Sequence, residues 1–123
     1  MKNKGSRANS IVEVIKSIDG LKIEIRSSAL QHAFEGHPEV TLGRIRQALA
    51  EPVKVIRSKR SNRVCLFYSF ECQDPVFGEI YFCAVVGVIG PNKGSLETAY
   101  ETTYIKSGEV LFDGDKVRGK RCK

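Results

Sequence analysis

Hydrophobic and polar positions change their period along this chain of 123 residues, and the changes mark its elements. Residues 1–10 are mostly polar and charged, which predicts a disordered N-terminal tail. Ile11, Val14, Ile15 and Ile18 then recur at helical spacing, but the run is rich in β-branched residues and Asp19-Gly20 leads into the strict alternation of Leu21-Lys22-Ile23-Glu24-Ile25-Arg26. Asp-Gly between two such runs signals a two-residue hairpin. Ser28 with Gln31 three residues later forms a capping-box pattern, so a helix opens there with Leu30, Ala33 and Phe34 on one face. At about 100° per residue, His32 falls nearly opposite that stripe. Gly36 suits a left-handed helix end, and Pro38 biases His37 away from helical geometry, making His37-Pro38-Glu39 a turn. Thr41 is placed to cap a second helix whose apolar positions are Leu42, Ile45, Ala48 and Leu49, and Pro52 stops it.

After Pro52 the period becomes two. Strands are predicted over residues 53–59, 63–71, 79–89 and 95–106, with gaps short enough for an antiparallel meander. Residues 80–89 are apolar on both faces, as in a central strand covered on both sides. The expected fold is α+β: an N-terminal hairpin and two short helices packed on a four-stranded antiparallel sheet. It forms a single domain over residues 11–112, with a basic C-terminal tail over 113–123.

Composition narrows the setting. A chain of 123 residues that is 41% hydrophobic fits one compact domain. It has no run near the ~20 apolar residues of a membrane span and no signal-type core after its polar start, so a cytoplasmic protein without membrane contact is expected. Cys65, Cys72, Cys83 and Cys122 contain no CxxC pair and read as reduced, mostly buried thiols. His32 and His37 are five apart, which misses the one-face spacing of a helical zinc motif, and neither a metal nor another cofactor is expected. The net charge of +6, reinforced by Lys116, Arg118, Lys120, Arg121 and Lys123, favours a polyanionic partner, RNA first.

Both histidines of the chain lie between Leu30 and Val40, beside Glu35 and Glu39. Histidine exchanges protons near neutral pH, which raises the question of acid–base chemistry. Alternation on the last predicted strand places Leu96, Thr98, Tyr100, Thr102 and Tyr104 on one face, Arg57 and Lys59 share a face on the first strand of the meander, and Arg63 opens the next. A proton carrier, cations and hydroxyls are the parts needed to cut RNA through its own 2′-hydroxyl. In that reading His32 is the base, Arg63 and Lys59 pair with the phosphate, and Tyr100 with Thr98 orients or protonates.

Ala29-Leu30-Gln31-His32, Gly36-His37-Pro38-Glu39, Leu49-Ala50-Glu51-Pro52, Leu66-Phe67-Tyr68 and Leu96-Glu97-Thr98-Ala99-Tyr100-Glu101-Thr102 with Ile105-Lys106-Ser107-Gly108 occur in this order. Together they resemble the phage-type nucleases of the Barnase/EndoU/colicin/RelE-like (BECR) superfamily over residues 21–111. The resemblance implies a metal-independent ribonuclease, often the toxin of a toxin–antitoxin pair or of phage-derived origin. It carries roles over to His32, His37, Glu39, Tyr68, Thr98, Tyr100 and Thr102; Lys59, Arg57 and Lys106, with Tyr68 and Glu39, are the expected substrate-binding residues. Gly36 departs from the basic or otherwise charged residue common before His-Pro-Glu, which implies either a weaker nuclease or a charge supplied by Arg63 instead. An acidic protein antitoxin is the partner expected beside RNA. The rivals are a non-catalytic RNA- or partner-binding module on the same scaffold and a Cys/His zinc protein.

Overall fold

A computed structural model describes residues 9–114. Most of both expected tails lies outside the described residues, but their inner ends are tied down. Ser27 N–H donates to Ser10 C=O at 2.8 Å, Arg26 to Asn9 C=O at 3.0 Å, and Gly114 N–H to Val53 C=O at 2.7 Å.

The elements run β1 (Ile11–Lys16), β2 (Lys22–Arg26), α1 (Ser27–Gly36), α2 (Leu42–Ala50), β3 (Lys54–Arg57), β4 (Val64–Asp74), β5 (Gly78–Gly90), β6 (Lys93–Thr102) and β7 (Glu109–Asp113). They form one seven-stranded sheet in the order β1-β2-β6-β5-β4-β3-β7, α+β as expected but with three strands beyond the expected four. The hairpin joins the sheet because β2 pairs in parallel with β6, Lys22 opposite Lys93 through Glu24 opposite Ser95. β7, short and mixed in pattern, adds antiparallel to β3 at the other edge. β5 is the central strand, as its two-sided apolarity predicts.

The hairpin turn is a three-residue loop rather than a two-residue one. Gly20 N–H donates to Ser17 C=O, Ser17 N–H to Leu21 C=O, and Gly20 takes the left-handed φ of +93° that closes such loops. Thr41 caps α2 as expected, its Oγ1 accepting from Arg44 N–H at 3.1 Å. The capping box at α1 does not form: the cap residue is Arg26, whose side chain does not cap the helix, while Ser28 bonds Asn9 and Gln31 bonds Glu35. Gly36 keeps a negative φ, because α1 ends on His37 N–H donating to Ala33 C=O just before Pro38 forces extended backbone. Phe34, expected on the core face, is 54% exposed; it lines an apolar recess of about 360 Å³ with Val12, Leu30, Val40 and Leu42.

The two faces of the sheet are filled differently. Both helices cover one face, where Ala33, Ile45, Ala48 and Leu49 pack on Phe67, Phe82, Ala84, Val86, Leu96 and Ala99. The opposite face carries Leu66, Tyr68, Phe70, Tyr81 and Cys83, partly roofed by Ile105 in the crossover that leads from β6 to β7. Gly108 lets that crossover lie on β3, since a Cβ there would overlap the Arg57 carbonyl and Ile56. Cys65 and Cys83 are buried free thiols, but Cys72 is disulfide-bonded, which corrects the expectation of reduced thiols throughout. Among the described residues no helix is long and apolar enough to cross a membrane.

Candidate functional site

On the uncovered face the sheet forms a groove of about 940 Å³. Its floor is Val64, Leu66 and Val85; the β3–β4 turn brings Ser58, Lys59, Arg60 and Ser61, and the crossover brings Tyr104, Lys106 and Ser107. β6 supplies the third side with Glu97, Thr98 and Tyr100. Lys59, Arg60 and Lys106 thus outnumber the single carboxylate, Glu97, among the described lining residues.

A bulge in β6 puts Glu97 there. Val85 faces Thr98 but Val86 faces Leu96, so Leu96 and Ala99 both turn under the helices and Glu97 and Thr98 both turn to the groove. The expected single-face row that began at Leu96 is broken by this extra residue. Glu97 lies over Gly87, where a Cβ would overlap its carboxylate. Strict alternation hid Glu97; the glycine inside an apolar strand was the signal that the backbone is closely approached there.

Beneath the groove Tyr68 and Cys83 are cut off from water, while Tyr100, which lines it, is half-buried. Tyr68 is fully buried, its hydroxyl accepting from Lys106 N–H at 3.2 Å, so it anchors the crossover rather than meeting a ligand. Cys83 lies between the two tyrosines on this face, opposite Tyr68 on one neighbouring strand and Tyr100 on the other. Burial, reinforced by the neighbouring thiol, pushes both phenols above their ordinary range, and burial raises the Cys83 thiol to about 12. Tyr100 is therefore a neutral hydrogen-bond donor at physiological pH.

The two histidines separate sharply. His32 is exposed on α1, in the helix layer on the far side of the sheet, and lies outside the groove lining. His37 reaches the rim: β2 stops pairing with β6 at Ser95, and the turn after α1 occupies the edge of β6 beyond it. The His37 ring lies 5.7 Å from the Tyr100 ring, centroid to centroid. Its Nδ1 is 3.6 Å from Glu39 Oε2, an electrostatic pairing that favours the proton on Nδ1 and leaves Nε2 for other partners. Glu39 Oε2 also accepts from Glu101 N–H at 3.2 Å. Burial pushes the Glu39 carboxyl up, but its own N–H and that of Glu101, with His37 and Arg44, outweigh this and hold it below the usual carboxylate value.

The remaining expected residues divide. Thr98, Tyr100, Lys59 and Lys106 line the groove. Arg57 does not: it binds Glu109 at 2.9 Å and Asn62 C=O at 3.0 Å, bracing β3. Thr102 exchanges hydrogen bonds with the Tyr104 backbone at the end of β6, so its hydroxyl serves the bend. Arg63 is exposed in the turn before β4 and is not among the residues that line the groove. Arg60 takes the place expected of Arg63.

The fold and site define an α+β protein with a cationic, hydroxyl-bearing groove on the uncovered face of its sheet and a His–Glu pair at the rim. Comparison with protein-family models, curated proteins and solved structures finds no match.

Proposed function

We propose that this protein is a small cytoplasmic endoribonuclease that needs no metal, cleaving RNA by attack of its own 2′-hydroxyl, with the sheet groove as its site. One observation carries the reading: His37, paired with Glu39, stands against Tyr100 beside a groove that gathers Lys59, Arg60 and Lys106. Glu97 accepts the 2′-hydroxyl proton as the P–O2′ bond forms. The three cations and the Tyr100 and Thr98 hydroxyls stabilise the charge of the phosphorane. His37, as imidazolium beside Glu39, gives its Nε2 proton to the 5′-oxygen as the P–O5′ bond breaks, leaving a 2′,3′-cyclic phosphate. In this reading Glu97 takes the base's role that the sequence suggested for His32, and His37 supplies the acid. The resemblance to BECR nucleases adds the setting of a toxin whose acidic protein antitoxin covers the groove.

The test is cleavage of total RNA in EDTA by the wild type and by His37→Ala, Glu97→Gln and His32→Ala. The wild type and His32→Ala yield cyclic phosphate ends, while His37→Ala and Glu97→Gln each lose about 10²–10⁴-fold in turnover with salt-sensitive RNA binding kept. A wild type that binds RNA but leaves it intact would make the groove that of a non-catalytic binding module. Loss of cleavage in His32→Ala with His37→Ala unaffected would return the role to α1.

A further inference from the structure

Arg44 stands in the first turn of α2, where the helix dipole favours an anion rather than a cation. Its partners account for it. Nη1 donates to the Glu39 carbonyl at 2.9 Å, and Nη2 donates to Glu71 Oε1 at 2.9 Å and Glu101 Oε2 at 2.6 Å. The guanidinium carbon sits 5.0 Å from the centre of the Phe82 ring, and the side chain is 23% exposed. The Glu101 that binds Arg44 through its carboxylate also donates its N–H to the Glu39 carboxylate, so Arg44, Glu39 and Glu101 form a closed triangle. Both ends of Glu39, carbonyl and carboxylate, are thereby fixed to β6, and Glu39 is the group that faces His37 Nδ1.

We propose that Arg44 is a positioning residue: through this triangle it seats the His37-Pro38-Glu39 turn on β6 and so fixes the direction in which His37 presents its ring to Tyr100. Its planar fork is what the arrangement needs, because one cation must meet a carbonyl and two carboxylates at once. The groups around the turn that carry charge or titrate are Glu39, Glu71, Glu101, Arg44, Tyr100 and Cys83. The effect on turnover rests on the ribonuclease reading; the effect on His37 geometry does not.

Arg44→Met alone would leave Glu71 buried without a counter-charge, so the informative variant is the double replacement Arg44→Met with Glu71→Gln, alongside Arg44→Lys. NMR of the His37 ring reports the ¹⁵N tautomer signature and the NOE to Tyr100, and kinetics on RNA report kcat and KM. In the double variant the His37–Tyr100 NOE is lost and the Nδ1–H preference disappears, kcat falls about tenfold and KM changes less than about twofold. Arg44→Lys recovers part of both signals. A folded double variant that keeps the wild-type NOE and tautomer overturns the proposal. If the wild type cleaves no RNA, the ribonuclease reading falls while the NMR result still decides the role of Arg44.

Discussion

The strands β4, β5 and β6 present two faces built to opposite rules. Under the helices, Phe67, Phe82, Ala84, Val86, Leu96 and Ala99 are apolar and sealed from water. On the other side, residues one position along the same strands are Tyr68, Cys83, Thr98 and Tyr100, each bringing a polar atom. An apolar face stabilises by burial alone, at roughly 25 cal/mol per Å². A face that buries a hydroxyl must give it a partner, and here the Tyr68 hydroxyl is met by the crossover backbone at Lys106. The helix side therefore holds the fold together, and the groove side spends some of that stability on keeping polar groups in fixed positions.

The largest effect expected from testing this contrast is on the helix side. Phe82→Ala costs about 3–5 kcal/mol in denaturant unfolding, because its ring is wholly buried and carries the Arg44 guanidinium. The groove side responds to alkali instead. Tyr68, Tyr100 and Cys83 hold their protons to higher pH folded than unfolded, so above about pH 9 the unfolded chain binds fewer protons and stability falls as pH rises. Thermal melts from pH 7 to 11 should show this fall, and Tyr100→Phe should make it shallower. Gly87→Ala separates the faces more finely: the added Cβ displaces only the far end of Glu97, so unfolding shifts by less than about 1 kcal/mol while RNA turnover drops about tenfold. The smallest effect is at the α2 cap, where Thr41→Ala costs about 1 kcal/mol in unfolding and leaves turnover nearly unchanged.

Local patterns made much of this architecture legible. Asp19-Gly20 marked the hairpin, Thr41 and Pro52 bounded α2, and the two-sided apolarity of residues 80–89 identified the central strand. Pairings between distant segments were not legible, since nothing in Lys22-Ile23-Glu24 specifies Lys93-Gly94-Ser95 as its neighbour, and β7 is too short and mixed to announce itself. For the site, the groove-side placing of Thr98, Tyr100, Lys59 and Lys106 could be read, whereas which of the two expected histidines stands beside the groove could not. The helical wheel turned His32 away from its own helix core, as it is, but that direction leads to solvent because the helices cover the opposite face. His37 reaches the rim beside Tyr100 because β2 leaves that part of the edge of β6 open, a fact of topology.

The parallel pairing of β2 with β6 also orders events during synthesis. A ribosome releases the hairpin and both helices long before it releases residues 93–102, so until then β2 has no neighbour beyond β1 and the His37 turn has no strand to sit on. Closing so long a loop is slow compared with forming local turns and helices. A nascent chain therefore has its histidine, its carboxylates and its cations in separate places, and the groove assembles only once β6 has left the exit tunnel.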